Sequence, residues 1–129
     1  MSTPSRGRVV VVNDDQAILE LYRDMLRELR YEPVAMVTEG IETERIRDAH
    51  PDAVILDLQV GQRPEYGVQM ATELRSDRTF AAIPIVVCTA DVNALGDAQA
   101  TLRKLGVPVM LKPFTVEELD RHLGGGSAG

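Results

Sequence analysis

The stretch "AVILDLQV", Ala53 to Val60, places one acid, Asp57, directly after four apolar residues. A short, β-branched apolar run of this kind suits a strand buried on both faces of a sheet. The charge at its end therefore needs a reason beyond solubility. Upstream, "RVVVV" (Arg8 to Val12) is a second such run and stops at "NDDQ". From Gln16 to Arg30 the apolar residues Ile18, Leu19, Tyr22, Met25, Leu26 and Leu29 recur three and four apart among charged ones, which predicts an amphipathic helix. "EPVAMV" then reads as a strand, and Glu39 to Ala49 as a helix leading into Ala53.

Downstream the alternation continues. "QVGQRPEYG" reads as a loop, followed by a helix carrying Val68, Ala71 and Leu74, a buried strand "IPIVVCTA", a helix from Asn93 to Leu105, and a last strand "PVML". Thr115-Val116-Glu117-Glu118 has the pattern of a capping box opening a final helix with Val116, Leu119 and Leu123 inward. Strands separated by helices are parallel, and right-handed crossovers cover both faces of the sheet. The expected architecture is a doubly wound α/β fold with a five-stranded parallel sheet and five helices. The folded unit is drawn at residues 7–123, with a tail at 1–6 and a tail or linker stub at 124–129, "GGGSAG".

Composition narrows the function classes. The chain has 129 residues with a formal net charge of -6 and scattered basic residues, which argues against nucleic-acid binding by this domain. It has no run near the ~20 apolar residues of a membrane span and no secretory signal at its start, and its single cysteine, Cys88, reads as a small buried hydrophobe. A cytoplasmic location without membrane attachment is expected. His50, beside a proline in a loop, and His122, near the tail, read as solvated surface.

In a doubly wound sheet the ligand crevice lies at the carboxyl ends of the strands. Those ends carry Asn13-Asp14-Asp15, Asp57, Thr89-Ala90 and Lys112-Pro113. Singly, each has an ordinary explanation: Asp14 or Asp15 can cap the next helix, Thr89 a turn, and Lys112 can be a solvated charge. Together they bring carboxylates, a hydroxyl and an ammonium group to one rim. Two carboxylates about 4 Å apart repel by roughly 4 kcal/mol at a surface-like dielectric. Such a cluster favours a hard divalent cation, and oxygen donors suit Mg²⁺. With a hydroxyl and a lysine opposite, the set is equipped for phosphoryl transfer, with Asp57 as the nucleophile.

The pieces "VVVVNDD", "VILDL", "PIVVCTA" and "VMLKPFT", in this order and spacing, resemble the receiver domains of bacterial two-component response regulators, over about residues 7 to 123. The resemblance implies a flavodoxin-like strand order 2-1-3-4-5. It implies that a histidine kinase or histidine phosphotransfer protein phosphorylates Asp57. It further implies Mg²⁺ held by Asp14, Asp57 and the backbone carbonyl of Gln59, and a phosphoryl group bound by Thr89, the Ala90 amide and Lys112, with a cis peptide before Pro113. By the same resemblance Gln59 and Asp91 flank the path of attacking water. The face made by the fourth helix, fifth strand and fifth helix would signal to a downstream protein or output domain, and homodimerisation is compatible with this pattern.

Three features depart from the family. Asn13 replaces the first acid of the metal-binding pair, while Asp15 adds an acid one residue on. The loop after Asp57, "VGQRPEYG", lacks the family's proline at its usual place and reaches Gly67 two residues late. Val109 stands where a switch aromatic is usual. Two enzymatic or binding alternatives fit less well. Phosphatases of the haloacid-dehalogenase type carry the nucleophile on the first strand in a D-x-D pair, and a flavin or nucleotide site needs a Gly-rich phosphate loop where "NDDQ" stands. A receiver that has lost phosphorylation and serves as an interaction module is the remaining alternative.

Overall fold

The structure is a computed structural model and describes residues 6–13, 15–37, 43–58, 64–90 and 92–123. Among these, five strands alternate with five α-helices: β1 (Arg8–Asn13), α1 (Gln16–Glu28), β2 (Glu32–Val37), α2 (Thr43–Asp48), β3 (Ala53–Leu58), α3 (Pro64–Ser76), β4 (Ile85–Thr89), α4 (Ala98–Lys104), β5 (Val109–Leu111) and α5 (Val116–His122). The strands form one parallel sheet in the order β2-β1-β3-β4-β5. This is the doubly wound arrangement expected from the alternation.

Period-two side-chain alternation sorts the apolar strand residues to two faces. Val10, Val12, Val54, Leu56, Ile85 and Val87 pack with Ile46 of α2, Ala71 and Leu74 of α3 and Leu102 of α4. Val9, Val11, Ala53, Ile55, Val86 and Cys88 pack with Leu19, Tyr22 and Leu26 of α1 and Leu119 of α5. Covering both faces makes the central strands apolar throughout, which is why β1, β3 and β4 read as continuous runs rather than alternating ones.

Several element boundaries differ from the sequence reading. α3 begins at Pro64, so "PEYG" belongs to its first turn rather than to the preceding loop; proline is favoured there because the first helical N–H has no intrahelical acceptor to lose. The helix expected over 93–105 is divided into a 3₁₀ turn at Val92–Leu95 and α4 at Ala98–Lys104. Gly96, at φ +51°, takes a left-handed conformation that ends the first segment. A further 3₁₀ turn, Arg78–Phe80, buries Phe80 and was hidden in the polar stretch after α3. The expected helix from Glu39 begins, within the described residues, at Thr43; residues 39–42 lie outside them.

Arg6, the last residue of the expected tail, contacts the helix and loop residues around it. Its backbone N–H donates to Arg30 O (2.9 Å), its guanidinium pairs with Asp120 (2.9 Å) and lies 4.6 Å from the Tyr31 ring centroid. The capping box of α5 is present: the Thr115 hydroxyl accepts from Glu118 N (3.1 Å) and the Glu118 carboxylate accepts from Thr115 N (3.4 Å).

Candidate functional site

Parallel pairing aligns the strand ends. Asp57 lies opposite Cys88, Leu58 opposite Thr89, and Thr89 opposite Leu111, so β3, β4 and β5 finish side by side. Asn13 follows Val12, which pairs with Leu56, and so ends β1 next to Asp57. Asn13, Asp57 and Thr89 are the buried polar residues of the described chain, at 0%, 3% and 4% exposure. The burial of Asp57 is the physical oddity that "AVILD" raised.

Lys112 and Tyr22 both bond the Asp57 carboxylate. Lys112 Nζ donates to Oδ1 at 2.6 Å, and the Tyr22 hydroxyl donates to Oδ2 at 2.5 Å. The Asp57 side chain is fully buried and that of Lys112 is 22% exposed, so a partly exposed ammonium pairs with a buried carboxylate. A charge-assisted bond in such a place is stronger than one in solvent, and leaving it unmade costs more. Lys112 is brought there by β5 and its backbone: Lys112 N donates to Thr89 O at 2.8 Å, and the Lys112–Pro113 peptide is cis, as the resemblance implied.

Tyr22 was not singled out by its position in the sequence, where it reads as one apolar residue of the α1 stripe. It does occupy that stripe, at 1% exposure, with its ring 5.9 Å from that of Phe114. Its hydroxyl, however, reaches Asp57 and lies near the Cys88 thiol. Burial, with Cys88 and Asp57 nearby, pushes the phenol far above its ordinary range, so it stays protonated and is a permanent donor. Burial likewise pushes the Cys88 thiol up to about 12. The only hint in the sequence is that a hydroxyl-bearing ring stands where any apolar side chain would fill the core.

The remaining candidates fall into place unevenly. Asp15 is the N-cap of α1: its Oδ1 accepts from Ala17 N (2.8 Å) and Ile18 N (3.4 Å), and the residue is exposed. Of the two readings of Asp15, helix cap and extra site acid, the geometry supplies the cap. Asn13 Oδ1 accepts from Asp15 N at 2.7 Å. Ala90 is exposed at the tip of β4 and Val109 is half-buried against the α3–α4 side of the core. Asp14, Gln59 and Asp91 lie outside the described residues. Among the described residues no group of three or more His, Cys, Asp or Glu gathers to hold a metal, and Asp57 with its oxygen donors is the part of the expected Mg²⁺ set that is described. That donor chemistry fits a hard cation, to which the neighbouring Cys88 sulfur, a soft donor, is poorly matched.

This fold and rim define a class, and comparison with known proteins agrees. Residues 9–123 match the response regulator receiver domain family, and the chain belongs to that family, the signalling domains of two-component systems. It is 30% identical over 118 residues to the chemotaxis protein CheY1 of Helicobacter pylori, covering 90% of this chain and 93% of that one. It is also 30% identical over 123 residues to the polar-differentiation response regulator DivK of Brucella ovis, covering 90% and 95%. The transcriptional regulatory protein PdtaR of Mycobacterium tuberculosis is 33% identical over 115 residues, and the match spans 87% of this chain and 53% of PdtaR. Among solved structures, the chemotaxis response regulator CheY4 of Vibrio cholerae superposes with a TM-score of 0.74 at 21% identity, covering 94% of this chain and 100% of that one. The receiver domain of the sensor histidine kinase PA1611 of Pseudomonas aeruginosa, with a magnesium ion in its active-site cleft, gives 0.68 at 23%, covering 95% and 98%. No helix among the described residues is long and apolar enough to cross a membrane.

Proposed function

We propose that this receiver domain accepts a phosphoryl group on Asp57 from a histidine kinase or histidine phosphotransfer protein in the cytoplasm. The observation that carries the reading is the buried Asp57 carboxylate at the strand tips with Lys112 Nζ 2.6 Å from Oδ1. A carboxylate oxygen of Asp57 forms the new bond to phosphorus while the donor's nitrogen–phosphorus bond breaks, and the electron pair leaves with the imidazole. Lys112 orients the nucleophile and neutralises charge on the transferring group, and Thr89 with the Ala90 amide binds its oxygens. Mg²⁺, held by Asp14, Asp57 and the Gln59 carbonyl, would supply additional charge neutralisation when bound. Asn13 adds no charge there but can hold a metal-bound water, while its Oδ1 accepts from Asp15 N.

Phosphorylation adds about -1.5 to -2 charges and strong acceptor oxygens. The new group draws Thr89 and Lys112 toward it, and both residues are tied to the strand tips that lead into the 3₁₀ turn at 92–95 and into α5. The α4–β5–α5 face then changes its preference for a target protein or output domain. Because Val109 carries no ring, the loop after Thr89 bears the switch, with α4 following.

Intact mass after incubation with acetyl phosphate and Mg²⁺ tests this directly. The expected result is a gain of one phosphoryl group that Asp57→Asn abolishes. A wild-type chain that stays unmodified, or a modified Asp57→Asn chain, rejects the proposal.

A further inference from the structure

Tyr22 places a buried hydroxyl on the group expected to react, and the family resemblance assigned that position no role. The α1 stripe needs only apolar bulk there, as Leu19 and Leu26 on the same face supply. The phenol instead donates to Asp57 Oδ2 at 2.5 Å while Lys112 holds Oδ1 at 2.6 Å. Its ring is 1% exposed and sits against Phe114, so the hydroxyl points its proton at Asp57 from within the core. We propose that the Tyr22 hydroxyl acts on the chemistry of Asp57, shortening the lifetime of its phosphoryl group. The proposal rests on the reading of Asp57 as the phosphoacceptor.

The reasoning is a comparison of acceptor strengths. Before transfer, Oδ2 belongs to an anionic carboxylate and takes a charge-assisted hydrogen bond. In the acyl phosphate one carboxyl oxygen is bonded to phosphorus and the other is a neutral carbonyl, so whichever oxygen attacks, the phenol faces a weaker acceptor. In hydrolysis a water oxygen bonds to phosphorus and the bond from phosphorus to the Asp57 oxygen breaks. Its electron pair returns to the carboxylate, and the water's protons pass to phosphate and solvent. Negative charge thus builds on Asp57 in the transition state, where a fixed donor stabilises it. The same donor opposes the forward transfer, in which that charge is withdrawn.

The test uses the whole chain, charged with acetyl phosphate and Mg²⁺, with decay followed by intact mass after the donor is removed. Tyr22→Phe, which keeps the ring, is expected to retain its phosphoryl group about five times longer, corresponding to the difference between charged and neutral acceptors. Site-specific 3-fluorotyrosine at position 22, a stronger donor of nearly the same shape, is expected to shorten the lifetime and keeps the question answerable if Tyr22→Phe does not fold. A role confined to packing would not move the two variants in opposite directions. Decay in either folded variant that equals wild type, or changes in the reverse sense, overturns the role of Tyr22. A wild-type chain that gains no phosphoryl group overturns the reading of Asp57 instead.

Discussion

The Asp57–Lys112 pair is asymmetric: the carboxylate is fully buried while the ammonium retains 22% exposure. Removing the lysine takes the neutralising cation from a buried carboxylate, whereas removing the acid leaves a cation that can reach water. Lys112→Met is therefore expected to destabilise the fold by about 2 kcal/mol and Asp57→Asn by clearly less, since the asparagine carbonyl can still accept from Tyr22. The double variant should recover most of the Lys112→Met loss. Urea unfolding of the four proteins measures this, and equal costs for the two single variants would contradict the asymmetry.

Within the elements, the device the sequence pattern concealed is Arg75 near the end of α3. Its Nε donates to Leu105 O (2.9 Å), Nη1 to Phe80 O (3.0 Å) and Ile83 O (2.7 Å), and Nη2 to Gly106 O (3.2 Å). One guanidinium thus ties α3 to the turn before β4 and to the turn between α4 and β5, satisfying carbonyls that would otherwise be half-buried without donors. A lysine has too few fixed donors to replace it. Arg75→Lys is expected to cost about 2 kcal/mol and to speed amide exchange around Val107, as measured by urea unfolding and hydrogen exchange. The capping box of α5 is a more local matter: Thr115→Ala should lower stability by about 1 kcal/mol in the same unfolding measurement.

For the molecule as a whole, the buried acids under the site make alkaline stability informative. The Cys88 thiol rises from an ordinary 9.0 to about 12 and the Tyr22 phenol also rises, from 10.0. Above pH 9 the unfolded chain loses these protons and the folded chain keeps them, so unfolding is increasingly favoured as pH rises. The stability due to Cys88 is complete below about pH 9 and is lost as pH climbs through 12. Unfolding free energies measured from pH 8 to 11 should fall, and the decline should be shallower in Cys88→Ala. An unchanged slope in that variant would show that Cys88 titrates alike in both states.

The alternation of apolar runs and amphipathic stretches determined the doubly wound sheet, because burial on both faces leaves few other ways to cover strands such as "RVVVV" and "AVIL". The same reading located Asp57, Thr89 and Lys112 at strand ends, since parallel topology brings all carboxyl ends to one edge. Tertiary structure alone decided the finer partnerships. Gly96 split the helix expected over 93–105, a backbone choice that apolar spacing does not report. Asp15 became a cap through local geometry, and Tyr22 joined the site although it is 35 residues from Asp57. Periodicity records which side of a helix is buried. What a hydroxyl at the tip of a buried ring meets depends on the packing of α1 against β3 and β4, which exists only in the assembled fold.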